Sequence, residues 1–223
     1  MKPTLPVLLS VTGGYTDTAG FLALQGLFTA HVTGNFVTFA ASWVLGTSGM
    51  LAKLLALPVF CVVVIGVRII GSRLRATGRP VVRRLLGLKL LLLLIAALLA
   101  VRMGPFPNGD TAPAVITGIV LVAAMAIQNA VHRVHLGSAP PSTLMTGTTT
   151  QIMLDLADLM GSVSPEVRTT LKTRLGRFSA TVAAFAGGCA LAAVTYSHFG
   201  MWCFWIPPLL TLGSLLIGDD AVR

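Results

Sequence analysis

Charge is scarce in this 223-residue sequence. Asp, Glu, Lys and Arg make up 10% of it, hydrophobic residues 55%, and mean hydropathy is +0.86. Soluble globular domains carry about 25% charged residues, so an ordinary water-soluble domain is excluded. No long polar linker occurs, which leaves one integral-membrane domain over 1–223 as the expected organisation. Cysteine is limited to Cys61, Cys189 and Cys203, in or beside apolar segments and without metal-ligand spacing. They read as buried free thiols behaving as small hydrophobes. Nucleophile elbows, phosphate-binding loops and zinc-binding helix patterns are missing too. The chain is therefore expected not to be an enzyme, with no catalytic residue, cofactor or metal; His132 and His135 lack a third ligand and read as anchors at a membrane surface.

What the sequence does have is repeated apolar runs of about 20 residues, the length that spans a bilayer core. The net charge of +9 does not indicate nucleic acid, because the basic residues gather in loops beside apolar runs and no aromatic-interleaved basic patch accompanies them. The N-terminal apolar run meets Thr12, Gly13, Gly14 and Asp17 and continues, so it reads as a retained first span rather than a cleaved signal. Trp43, Tyr196, Trp202 and Trp205 read as interfacial aromatics.

Eight apolar segments follow one another at about 5–30, 33–45, 51–70, 85–101, 113–134, 143–159, 178–196 and 201–217. Their lengths run long, short, long, long, and then the same again. The Gly104–Asp110 stretch separates the halves, and internal repeats are expected at about 5–103 and 113–219. Charge placement gives the topology. One basic cluster comprises Arg68, Arg73, Arg75, Arg79, Arg83, Arg84 and Lys89; the other comprises Arg133, Arg168, Lys172, Arg174 and Arg177. With Lys2 and Arg223 at the termini, only Lys53 and Arg102 remain of the 16 Lys and Arg. If all eight segments crossed, the seven-charge cluster and the basic stretch 168–177 would fall on opposite sides. If both short segments return to the side they left, six crossings remain, and both clusters and both termini are cytoplasmic. Three crossings per half then invert one half relative to the other. The expected fold is an all-α membrane protein of six transmembrane helices plus two short re-entrant half-helices, built as two inverted three-span repeats.

Two Thr-Gly motifs open the short segments: His31-Val32-Thr33-Gly34-Asn35 and Leu144-Met145-Thr146-Gly147-Thr148, about half the chain apart. Helix N-termini present unpaired N–H groups, and paired half-helices starting inside a bilayer are a common way to build a solute site between repeats. Thr33 and Thr146 are candidate caps, Gly34 and Gly147 permit close approach, and Asn35 and Thr148 add uncharged hydrogen-bonding groups. Asp17 lies about 18 Å into the first helix, where a carboxylate is costly and marks a pathway or proton relay unless it serves a structural hydrogen bond. Gln128 and Asn129 occupy the matching place in the second half, as cavity lining or as interhelical glue. His31 is a candidate solute ligand or pH sensor, or else a satisfied interfacial histidine. Asp155 and Asp158 precede Arg168, Lys172 and Arg174 and read as local ion pairs, and Gly187-Gly188 permits close helix approach within the bundle or across a homodimer.

Gly14-Tyr15-Thr16-Asp17, Phe28-Thr29-Ala30-His31-Val32-Thr33-Gly34-Asn35, Ala126-Ile127-Gln128-Asn129-Ala130-Val131 and Thr143-Leu144-Met145-Thr146-Gly147-Thr148 together resemble the YoaK-like family of bacterial inner-membrane proteins, a domain of unassigned function. The resemblance covers nearly the whole chain. It implies a six-span bacterial membrane protein and supplies no substrate. The expected function is a small transporter or channel-like carrier for a polar or anionic solute, bound by Asp17, His31, Thr33, Gly34, Asn35, Gln128, Asn129, Thr146, Gly147 and Thr148 near the bilayer midplane. The alternative is a non-transporting scaffold or partner-binding subunit. The expected partners are the lipid bilayer, the solute and a second copy in a homodimer, and the expected location is the bacterial inner membrane.

Overall fold

The computed structural model describes residues 4–217; Lys2, Arg223 and the last residues of the second expected repeat lie outside them. All regular secondary structure among the described residues is helical. The helices are α1 (Leu5–Ala23), α2 (Gly34–Leu45), α3 (Met50–Ala76), α4 (Val81–Met103), α5 (Ala112–His135), α6 (Met145–Met160), α7 (Pro165–Phe199) and α8 (Ile206–Ile217), with a 3-10 turn at Gly200–Trp205 between the last two. Among the described residues, four stretches are long and apolar enough to cross a bilayer: α3, α4, α5 and the run Pro165–Ile217. At about 1.5 Å per residue that last run is far longer than a bilayer is thick, and it breaks at Gly200, whose φ of +53° ends α7.

Two boundaries differ most from the expected segments. The first helix stops at Ala23 rather than about Ala30, because Gln25 and Gly26 take positive φ and turn the chain. The apolar residues beyond, Leu27 and Ala30, are buried without being helical. The seventh helix starts at Pro165, well before Phe178. Ser164 caps it by accepting from Val167 N, and Pro165 and Glu166 suit a first helical turn.

The core has two parts that mark the two ends of the bundle. One joins Leu5 and Leu9 of α1, Val67 of α3, Val82, Leu85 and Leu86 of α4, and Ile127, Ala130 and Val131 of α5. The other joins Ala19 and Ala23, Ala52 and Ala56, Ala97 and Ala100, and Ala114 and Leu121 of the same four helices. Successive long helices thus run antiparallel. Helix α1 packs against α7 and α8, and α5 packs against α3 and α4. Short α2 lies on α3, and short α6 lies on α7. Among the cysteines only Cys203 is buried; Cys189 is half-buried and Cys61 is exposed on α3, where an apolar environment is the bilayer rather than the protein core.

Asp110 ties the halves together. Its carboxylate accepts from Gly49 N at 2.8 Å and Leu51 N at 2.9 Å, capping α3 from the central linker. Asp110→Ala should lower stability by about 1 kcal/mol, the usual worth of a cap, read as a lower melting temperature of the detergent-solubilised protein.

Candidate functional site

Asp17 faces the non-helical stretch between α1 and α2. Its Oδ1 accepts from Thr29 N at 2.7 Å and Ala30 N at 2.8 Å, and from Thr29 Oγ1 at 3.3 Å. Its Oδ2 pairs with His31 Nδ1 at 2.6 Å. Asp17 is 4% exposed, so one buried carboxylate organises the entry into α2. The backbone donors it satisfies would otherwise be stranded away from water. Asn35 closes the same turn: its Oδ1 accepts from Phe28 N at 2.9 Å and its Nδ2 donates to Phe28 O at 2.8 Å. Asp17, Thr18, Phe28, His31, Thr33, Gly34, Phe185 and Cys189 line a cavity of about 400 Å³.

The second half has a related arrangement without a carboxylate. Thr143 Oγ1 donates to Asn129 Oδ1 at 2.5 Å, so the chain entering α6 is again held by a side chain from the preceding long helix. Gln128 donates to Leu9 O at 2.8 Å and to Ser142 Oγ at 3.1 Å. Its Oε1 accepts from Lys89 Nζ at 2.6 Å. Asn129, His132, Arg133 and Ser142 line a separate cavity of about 280 Å³ beside Phe178.

The two Thr-Gly motifs do not meet. Helices α2 and α6 have no contact with each other, and the two cavities are distinct. Thr33 stands at the N-cap position of α2 but makes no side-chain capping bond, and Thr146 lies inside α6, one residue past its start. The first N–H groups of α2 are instead taken by backbone carbonyls of the turn before it, Gly34 N by His31 O, Asn35 N by Val32 O and Phe36 N by Thr33 O, while Asp17 and Asn35 hold the loop that leads into that turn. Thr148 is buried and donates to Leu144 O, whereas Thr146 and Gly147 are exposed. Of the expected site residues, Asp17, His31, Thr33 and Gly34 share one cavity, with Asn35 buried in its turn; Gln128 and Asn129 belong to the other cluster.

Lys89 is the residue that sequence reading misplaced. Counted as a loop charge, it lies two turns inside α4 and is 0% exposed. The signal was present: Leu85, Leu86, Leu88, Leu90 and Leu91 surround it, and it already falls within the apolar segment at about 85–101. Lys53 is likewise buried and donates to Ser42 Oγ at 2.6 Å. Asp155 is fully buried and meets Arg174 side-on, with Gln151 donating to it as well, which is the local ion pair that the sequence suggests.

Comparison with known proteins agrees with the membrane character. The chain is 27% identical over 220 residues to the UPF0700 transmembrane protein YoaK of Bacillus subtilis (strain 168), a match covering 96% of this chain and 93% of that protein. No solved structure matches it. A family model described as protein of unknown function (DUF1275) matches residues 5–217, and the chain belongs to that family of membrane proteins.

Proposed function

We propose that this protein is a small carrier for a polar or anionic solute in the bacterial inner membrane, with both termini cytoplasmic and no catalytic activity. The observation that carries the reading is the Asp17–His31 pair. A buried carboxylate and an imidazole share a hydrogen bond in the wall of a cavity, at the start of a helix too short to span. Ionisable side chains at such depth are costly and are retained where a solute or proton passes.

The arrangement of the chain supports six crossings with two re-entrant segments. Gln25, just past α1, and Gly49, just before α3, are neighbours: a Cβ on Gly49 would sit 3.2 Å from that of Gln25. Between them the chain reaches down to Asp17 and returns along α2. In the second half, Ser142 and Thr143 reach back to Gln128 and Asn129, and the chain then returns along α6 to the level where Arg177 binds Ser138 O. Exchanging halves maps the α1–α7 contact onto α5–α3, α1–α8 onto α5–α4 and α2–α3 onto α6–α7, as inverted repeats require. Arg68 and Arg75 of one basic cluster lie beside Arg133 of the other, which supports a shared cytoplasmic face.

Asp17→Asn separates chemistry from structure. An amide keeps Oδ1 to accept from Thr29 and Ala30, and its NH₂ faces His31 in place of Oδ2. The variant should fold, melt within a few degrees of the parent and lose pH-driven uptake into proteoliposomes. The solute for that assay comes from a thermal-shift screen of the purified protein against small metabolites and anions, since a ligand of the native state raises its stability. Unchanged uptake in Asp17→Asn removes the pair from the mechanism. A scaffold that transports nothing is the second reading, favoured by the closely packed contact of α1 with α7, which fills the centre between the two cavities. A screen and uptake assay that find no solute would favour it.

A further inference from the structure

We propose that a groove between α3, α4 and α5 holds an anionic phospholipid, with its phosphate on Arg68, Arg75 and Arg133 and an acyl chain along Val64, Val67 and Leu85. The groove encloses about 170 Å³, room for part of one chain, and its floor is aliphatic. Arg68, Gly71 and Arg75 are spaced three and four residues apart, so they share one face of α3. Arg133 stands two residues before the end of α5, and both helices end on the same side of the bundle. Three guanidinium groups therefore border one apolar groove near the helix ends. None of the three has a hydrogen-bond or ion-pair partner among the described residues, and no carboxylate lines the groove.

Like charges gathered this way repel unless an anion joins them. A soluble anion would satisfy the guanidinium groups and leave the aliphatic floor uncovered. A phospholipid satisfies both, because it delivers its phosphate at headgroup depth with a chain running toward the bilayer centre. Long arginine side chains reach that depth from the last turns of a span, and basic pockets between transmembrane helices on the cytoplasmic side suit anionic headgroups. Residues of α3 and α5 meet here across the two halves, so the bound lipid would clamp the contact between them. The inference does not depend on transport.

The test is lipid-dependent stabilisation of the full-length protein in detergent. Phosphatidylglycerol should raise the melting temperature saturably, while phosphatidylcholine of the same chains and inorganic phosphate alone should not. Each of Arg68→Gln, Arg75→Gln and Arg133→Gln should weaken the apparent affinity about fivefold. Gly71→Leu, which fills the groove and keeps every charge, should weaken it as well. The control triple Arg79→Gln, Arg168→Gln, Lys172→Gln should leave the affinity unchanged. Equal stabilisation by both lipids, full stabilisation by phosphate alone, or an equal loss in the control triple would overturn the proposal. A single-site variant that misfolds leaves the other single substitutions and Gly71→Leu to decide.

Discussion

Gly188→Ala should unfold the protein, and Gly187→Ala, one residue earlier, should leave it intact or slightly more stable. The difference comes from where each glycine points. A Cβ on Gly188 would collide with the carbonyl oxygen of Val11 and sit 3.0 Å from Tyr15 N; a Cβ on Gly187 would meet nothing within 4 Å. The contact is reciprocal, because a Cβ on Gly14 would collide with the carbonyl oxygen of Phe185. Helices α1 and α7 thus touch backbone to backbone through one glycine from each. A clashing side chain can rotate away, but a clashing carbonyl within a helix moves only with the helix. Separating the pair would also break the hydroxyl of Tyr15 from Thr195 and from Cys203 O, at 2.5 and 2.9 Å. The cost should exceed the roughly 1–3 kcal/mol of ordinary overpacking. At Gly187 the better helix propensity of alanine is worth up to about 1 kcal/mol in the opposite direction. Thermal melts of both variants in one detergent decide the matter; a Gly188→Ala protein that melts with the parent means the close crossing does not form. Close approach at Gly187-Gly188 was readable from the sequence, but which of the two makes it was not, since that depends on the rotation of α7 about its axis.

The same division between local and distant determinants runs through the molecule. The start of α2 and the existence of α6 were legible because Thr-Gly motifs and breakers are local. The start of α7 was missed because its first turns are charged and an apolar-run criterion ignores the Ser164-Pro165-Glu166 start signal. The end of α1 was missed for the opposite reason: the residues beyond Ala23 are apolar enough to extend a helix, and only the positive φ at Gln25 and Gly26 turns them away. Asp17 stood out as a costly charge, yet its bonds go to backbone groups twelve and thirteen residues ahead, which no periodicity encodes. The separation of the two Thr-Gly motifs is a tertiary result. It follows from α2 lying on α3 and α6 on α7, with α1 and α7 closed together between them.

Gln128→Leu should be more damaging than Lys89→Met, and the double variant should be less damaging than the sum of the two. Lys89 is fully buried, and Gln128 Oε1 is its one hydrogen-bond partner among the described residues, while the amide of Gln128 also serves Leu9 O and Ser142. Removing Gln128 strands the lysine amine in an apolar core and strips two further groups of their donor. A buried polar group left without its partner costs about 1–3 kcal/mol, and here three groups lose one. Lys89→Met keeps an unbranched chain of similar length and leaves only one amide oxygen unpaired, a loss of about 1–3 kcal/mol. In the double variant no amine is stranded, so the coupling between the two positions should be favourable by more than about 1 kcal/mol, as for residues in one polar network. Additive losses would mean that the two side chains do not interact. The cycle also bears on function. Because Lys89→Met is the mild member, it gives a folded protein without the buried amine, and its uptake relative to Asp17→Asn tells whether that amine works with the Asp17–His31 pair. Transport lost in both variants makes the two clusters parts of one path across the bundle; transport lost only in Asp17→Asn leaves Lys89 a structural tie between α4 and α5.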